Sequence, residues 1–382
     1  MSEHLLILGA STRAAAFSAL RAGLTPWCAD LFGDADLAAR CPVRLVPRSA
    51  YPHGLAALAA QGPPGAPWMY TGGLENHPRL VEAITRERPL WGSGPAVLLA
   101  VRDPDRLSAA VAPAGWSMPA VRWRPDDVPR DGSWLVKPAA GSGGTGIDRW
   151  RGQRFRRGLH YFQQRVRGRP FAAIYLGDGR RSWLLGVTEQ LVGVPALHAR
   201  PFAYCGSIGP LHFSFAQNDR FHRLGQALVE AFGLCGLFGV DGVLDGETGW
   251  VLEVNPRYTA SVELLEYACG TGFLAGHRDV FQGGIASSPR LGSAPAAGVW
   301  AKAILFARAA LVFPADGPWR ATLDEPRDVH TMPAYADIPP AGTRIKAGWP
   351  VLTFFVRAES EPACREQLAA RAGDLDRWLF RG

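Results

Sequence analysis

The stretch WLVKPAAGSGGTGI, Trp134 to Ile147, runs a strand-like segment into a lysine and then into a glycine-rich loop. Gly141, Gly143 and Gly146 satisfy G-x-G-x-x-G, so three architectures compete: a dinucleotide fingerprint, a P-loop, and a flexible cover over a triphosphate. A P-loop needs a lysine and a Ser or Thr after its last glycine, at the start of a helix. Here Ile147 and Asp148 follow. A dinucleotide fingerprint also needs a helix to open inside the loop, so that its N-terminus faces the pyrophosphate. IDRWRGQRFRRG, Ile147 to Gly158, has no amphipathic helical pattern, and its lysine lies before the loop. The architecture that fits better joins two antiparallel strands by a mobile loop, Gly141, Ser142, Gly143, Gly144, Thr145 and Gly146, whose backbone N–H groups approach phosphate closely. Lys137 then sits beneath it. The competing reading of this string alone is an ordinary flexible loop beside a surface lysine.

A second stretch, GVDGVLDGETGWVLEVNPR (Gly239 to Arg257), reads as a hairpin. With DGETG (Asp245 to Gly249) as a five-residue loop, Leu244 faces Trp250, and counting back sets Asp241 opposite Glu253. Asn255, two residues on, shares their face. Opposed carboxylates destabilise a sheet unless something positive lies between them. Two carboxylates and an amide oxygen, able to share a site with phosphates, suit Mg²⁺. Arg257 is placed to reach a phosphate or acyl-phosphate oxygen. The competing reading is a surface hairpin with its polar face in water.

The chain opens as strand, alanine-rich helix and second strand: HLLILGASTRAAAFSALRAG, then LTPWCADLF. Gly9 ends the first strand and Asp30 lies about 20 residues on, where a ribose-binding acid would stand in a dinucleotide fold. GASTRA keeps only the first glycine of that fingerprint, which favours a Rossmann-like unit without NAD over an oxidoreductase. Further on, WMYTGG reads as a strand, LENHPRLVEAITRE as a helix, and Tyr161 to about Thr188 as strand-rich. DRFHRLGQALVEAFGL has helical spacing, PPAGTRIKAGWPVLTFFV reads as a turn-bounded strand pair, and PACREQLAARAGDLDRWLF as a closing helix. Gln282 to Gly298, rich in Gly, Ser, Pro and Ala, is the best linker candidate.

Composition bounds the function. At 382 residues the chain has room for two or three subdomains, and its 47% hydrophobic and 20% charged content is that of a globular enzyme. No apolar run approaches the ~18 residues of a membrane span, and MSEHLLILG lacks a signal-peptide pattern, so the expectation is a cytoplasmic protein away from membranes. The six scattered cysteines fit reduced thiols better than a zinc site. The net charge of +7 is almost all arginine, the only lysines being Lys137, Lys302 and Lys346. Arg149 to Arg157, RWRGQRFRR, is basic but lacks interleaved stacking platforms, so no nucleic-acid partner is expected.

LVKPAAGSGGTGI, FQQRVRG and GVDGVLDGETGWVLEVNPR resemble, in order and spacing, the ATP-grasp carboxylate–amine ligase superfamily. DLFGDADL, YTGGLEN and NPRYTASVELLE are similar to its biotin-carboxylase-related group of predicted ATP-dependent carboligases. The resemblance implies a mixed α/β chain: a Rossmann-like domain (1–95), an ATP-grasp small subdomain with the lid (96–168), a large subdomain with the metal site (169–281), and a linker with a strand-rich C-terminal extension (282–382). It implies ATP with Mg²⁺, or Mn²⁺ in its place, and a carboxylate activated as an acyl phosphate and coupled to an amine, with ADP and phosphate released. The group's genomic setting suggests cofactor biosynthesis linked to one-carbon metabolism, and its fold class suggests a homodimer.

By resemblance, Lys137 contacts the α- and β-phosphates under the lid Gly141–Gly146, while Gln164 replaces the glutamate that accepts the adenine amino proton. Arg165 and Val166 offer backbone contacts to adenine, Asp241, Glu253 and Asn255 hold the metal, and Arg257 steadies the transferring phosphate. Glu75, Asn76, Glu263, His198, His212 and His222 are further candidate substrate contacts. Besides Gln164, the chain departs from the family in two further ways. RGRPF puts Arg169 and Pro170 where a ribose-binding acid is usual, and the first nucleotide lysine is missing, with Arg102 or Arg106 as replacements. These departures favour a second reading, a nucleotide-binding protein without turnover.

Overall fold

The computed structural model describes residues 3–156, 158–283, 298–324 and 328–380. Most of the proposed linker, Gln282 to Gly298, therefore lies outside the described residues. The N-terminal strands β1 (His4–Leu8), β2 (Thr25–Asp30), β3 (Val43–Leu45) and β4 (Trp68–Tyr70) form a parallel sheet in the order β3-β2-β1-β4. Leu5 to Leu8 are all buried, as an inner parallel strand requires. Gly9 is a packing necessity: a Cβ there would come within 2.0 Å of Thr71 Oγ1.

A small antiparallel sheet follows, built from β5 (Val121–Arg122), β6 (Trp134–Pro138), β7 (Asp148–Arg149) and β8 (His160–Gln164), in the order β5-β8-β6-β7. Val128, Val136, Trp150 and Phe162 give it a core of its own. The glycine loop connects β6 to β7, two antiparallel strands, with no helix after it.

The remaining strands are β9 (Arg169–Asp178), β10 (Ser182–Val192), β11 (Tyr204–Gly209), β12 (Cys235–Asp245), β13 (Thr248–Asn255), β14 (Val299–Phe306), β15 (Leu311–Val312), β16 (Tyr335–Ala336), β17 (Arg344–Ile345) and β18 (Pro350–Ala358). Eight of them make one antiparallel sheet in the order β13-β12-β9-β10-β11-β14-β18-β16. The strands after residue 298 thus continue the sheet that carries Asp241. The pair expected from PPAGTRIKAGWPVLTFFV is not a pair: β17 bonds β15, and β18 bonds β14 and β16.

Strand alternation gives the large sheet two faces. Phe171, Ala173, Tyr175, Phe238 and Val240 pack on the helix Phe215–Phe232. That helix starts at a capping box between Ser214 and Gln217 and stops at Gly233, whose φ of 66° ends it. The opposite face meets the helix Ala260–Cys269 and the N-terminal sheet, burying Ile174, Leu176 and Leu237 with Leu5, Ile7 and Val262.

Candidate active site

The N-terminal sheet, the lid sheet and the second face of the large sheet enclose one cavity of about 1290 Å³. Lys137, Gly141, Ser142, Gly143, Gly144, Thr145, Gln164, Arg165, Val166, Asp241, Glu253, Asn255 and Arg257 all line it. Of the proposed lid and site residues, Gly146 does not. It packs against Pro138, where a Cβ would lie 2.9 Å from Cγ.

The carboxylates meet by a route other than the one expected. The turn is two residues long, with Asp245 opposite Thr248 and Gly246 at φ 56°. Leu244 therefore faces Gly249, not Trp250. A β-bulge between Asp241 and Gly242 skips Leu252 and restores the register, so that Asp241 pairs with Glu253. Gln190 Nε2 donates to Asp241 Oδ1 at 2.8 Å, and Asn255 Nδ2 donates to Asp241 Oδ2 at 2.9 Å. Burial, with the Glu253 carboxylate opposite, pushes Asp241 up to about 8. A divalent cation between the two carboxylates removes that repulsion, so the donor set fits one. Among the described residues, no group of three or more His, Cys, Asp or Glu side chains could hold a metal, and the amide of Asn255 would have to complete the set.

Arg257 is held from several sides. Its Nη2 lies 2.7 Å from Glu75 Oε1 and 3.0 Å from Asn255 Oδ1, and its Nη1 donates to Tyr258 O. Its Nε is buried without a hydrogen-bond partner, and Arg257 lines the cavity. Glu75 also accepts from Gly73 N at 2.6 Å, so it positions Arg257 from the N-terminal domain. Asn76 Nδ2 reaches Gly141 O at 3.4 Å, touching the lid.

Lys137 is buried, and its ammonium donates to Gln163 Oε1 at 3.0 Å. Burial works to lower its pKa, but Tyr161, Glu253 and Asp241 outweigh that and raise it, so it stays a cation. Gln163 went unremarked in the sequence. Alternation along β8 puts it on the face of Tyr161, while its neighbour Gln164 is exposed and donates its backbone N–H to Ala120 O. The lid is docked: Tyr204 N donates to Gly143 O at 3.2 Å. Gly144, at φ 76°, approaches so closely that a Cβ would lie 1.9 Å from Phe202 O.

Several candidates lie elsewhere. Glu263 is fully buried behind the cavity, paired with Arg13 and Lys302. His198 bonds Asp376 at 2.9 Å, His212 and His222 are exposed, and none of the three lines the cavity. Arg102 lines the cavity, whereas Arg106 stacks on Phe232. Arg169 is engaged by Glu189 and Glu361. Asp30 is fully buried and accepts from Thr12, Phe32 and Gly33, which leaves no oxygen for a ribose and removes the dinucleotide reading.

Residues 109–261 match a family described as the ATP-grasp domain. No curated protein matches the chain significantly. Among solved structures, the biotin carboxylase domain of 2-oxoglutarate carboxylase from Hydrogenobacter thermophilus superposes with a TM-score of 0.71 at 13% identity, over 96% of this chain and 89% of that one. That structure is a dimer in complex with MgADP, ADP and bicarbonate. An L-amino acid ligase from Bacillus licheniformis gives 0.67 at 16% identity, over 98% and 97% of the two chains. N5-carboxyaminoimidazole ribonucleotide synthetase from Thermus thermophilus also gives 0.67 at 16%, over 99% of each. At such identities the likeness is one of fold. Residues 109–261 match the ATP-grasp domain, and the chain shares its mixed α/β fold along nearly its whole length with these carboxylases and ligases.

Proposed function

We propose that the protein is a Mg²⁺-dependent ligase that transfers the γ-phosphoryl group of ATP to a substrate carboxylate and couples the acyl phosphate to an amine. The C–N bond forms as the carbon–oxygen bond to phosphate breaks, and ADP and phosphate are released. The observation that carries this reading is the convergence of Lys137, Asp241, Glu253, Asn255 and Arg257 on one cavity beneath a docked glycine lid. Phosphoryl transfer needs positioning and charge neutralisation more than a protein nucleophile. Lys137 and the lid amides would hold phosphate oxygens, Gln164, Arg165 and Val166 would border the base, and the Arg257 guanidinium, which lines the cavity, would donate to an oxygen of the transferring phosphoryl group. Asp241, Glu253 and Asn255 would hold Mg²⁺, which supplies charge neutralisation at the phosphates. The lid, docked on the strand at Tyr204, excludes water that would hydrolyse an acyl phosphate.

A nucleotide-binding protein without turnover is the second reading, favoured by Arg169, which is tied to two glutamates where a ribose acid is usual. Measuring ADP release across a panel of carboxylic acids and amines, with and without Mg²⁺, separates the two. The ligase reading expects Mg²⁺-dependent ADP release for some acid–amine pair. Tight ATP binding with no ADP from any pair would overturn it.

A further inference from the structure

The face that carries Asp241 does not end there. Along one face of the sheet, Asp241 bonds Gln190, Gln190 pairs with Ser207, Ser207 with Lys302, and Thr353 pairs with Ile304, two residues along from Lys302 on the same face. Lys302, Thr353 and Asp337 line the same cavity as Lys137 and Asp241, at its C-terminal end.

The charges at that end are unequal. Lys302 Nζ lies 3.3 Å from Glu263 Oε2, Glu263 also pairs with Arg13, and Arg13 Nε lies 2.8 Å from Asp36 Oδ2. That chain holds two cations and two carboxylates and is neutral on its own. Two carboxylates stand outside it, Asp34 and, lining the cavity, Asp337. Thr353 Oγ1 donates to its Oδ2, and among the described residues it makes no ion pair. It is nonetheless firmly placed. Asp36 accepts from Asp337 N at 3.3 Å and from Ile338 N at 3.0 Å, and the backbone at 337 takes φ 51°, uncommon for a residue other than glycine. Asp337 lines the cavity with a hydroxyl as its only direct side-chain partner; Arg13 attracts its charge from beyond ion-pair distance, burial and the Glu263 and Asp36 carboxylates oppose that charge, and a cation in the cavity would favour it. Few enough acids stand together here that a metal ion is not that cation.

We propose that Asp337, with Thr353 beside it, binds the protonated amino group of the second substrate, and that the C-terminal strands form the amine pocket of the ligase. This deepens the ligase reading and rests on it for the role of the amine. The neutral chain behind Asp337 keeps Lys302 from serving as its permanent counter-ion, and Arg13 and Asp36 tie the turn at 337 to the N-terminal domain.

Calorimetric titration without ATP tests it, with the common L-amino acids, 1,4-diaminobutane and 2-phenylethylamine as probes, each beside its N-acetylated form. At least one free amine is expected to bind the full chain, its N-acetylated form to bind at least tenfold more weakly, and Asp337→Asn to weaken the free amine at least tenfold while leaving MgATP affinity unchanged. Asparagine tolerates a left-handed φ, so this variant removes charge and keeps the backbone. Thr353→Val is a second probe, expected to weaken the amine severalfold. Failure of every amine to bind, equal binding of an acetylated form, or unchanged affinity in Asp337→Asn overturns the inference. Asp337-dependent amine binding without ADP release upholds it and removes the ligase reading. ADP release indifferent to Asp337→Asn does the reverse.

Discussion

On the proposed reading, Asp241 and Glu253 are placed for a ligand at the expense of the empty fold. Facing each other across two strands, they repel, and amide donors from Gln190 and Asn255 offset this only for Asp241. Glu253→Gln removes the repulsion and keeps the shape. Without metal, that variant is expected to be at least as stable as the parent, by up to ~1 kcal/mol, as read by urea denaturation in EDTA. With Mg²⁺ the order reverses, because only the parent gains from binding. The pair was legible in the alternation of GVDGVLDGETGWVLEVNP, although the turn is shorter than it looked. A bulge at Leu252 corrects the count, and bulges leave no mark in a pattern of period two. Gln163 and Gln190 were not legible, because an amide on a strand declares its role only through what its register places beside it.

At the scale of elements, one close approach helps to seat the lid and one histidine helps to seat the helix Phe273–Phe281. A methyl at Gly144 would collide with Phe202 O and burden a φ of 76°. Gly144→Ala is therefore expected to raise the KM for ATP by roughly tenfold or more, leaving thermal stability nearly unchanged, since the lid lies outside the cores. Steady-state kinetics with a melting curve checks both. His277, buried, accepts from Leu237 N and bonds Trp91 O, and so pins its helix to β12. Burial lowers its pKa from 6.5 to about 4. The unfolded chain takes up this proton near pH 6.5 and the folded chain only near 4, so the stability His277 contributes is full above 6.5 and falls as pH drops through that window. The loss amounts to ~3 kcal/mol. Denaturation curves from pH 7 to 4 should show a shallower fall in His277→Gln than in the parent.

Across the whole molecule, buried ion pairs join the first helix to the one that follows β13. Arg13 meets Glu263, and Arg21 meets Glu266, with all four side chains nearly inaccessible. Arg21→Met strands a buried carboxylate and is expected to cost about 3–5 kcal/mol, whereas the double change Arg21→Met with Glu266→Gln costs clearly less. A double-mutant cycle by urea denaturation measures the difference. Glu263 looked like a substrate residue in sequence because it follows the metal motif, yet the helix Ala260–Cys269 turns it inward to Arg13. The Rossmann-like opening and the lid were legible because their patterns are local. The C-terminal strands read as an extension because a strand's pattern names its faces and not its neighbours. Only pairing of β14 with β11 brings Lys302, Thr353 and Asp337 to the cavity.

The most direct test of the account is Mg²⁺-dependent ADP release by the parent and by Glu253→Gln under identical acid, amine and ATP concentrations. The account predicts release by the parent that EDTA abolishes, and a fall of ~100-fold or more in the folded variant. Full activity of Glu253→Gln with Mg²⁺ would contradict it.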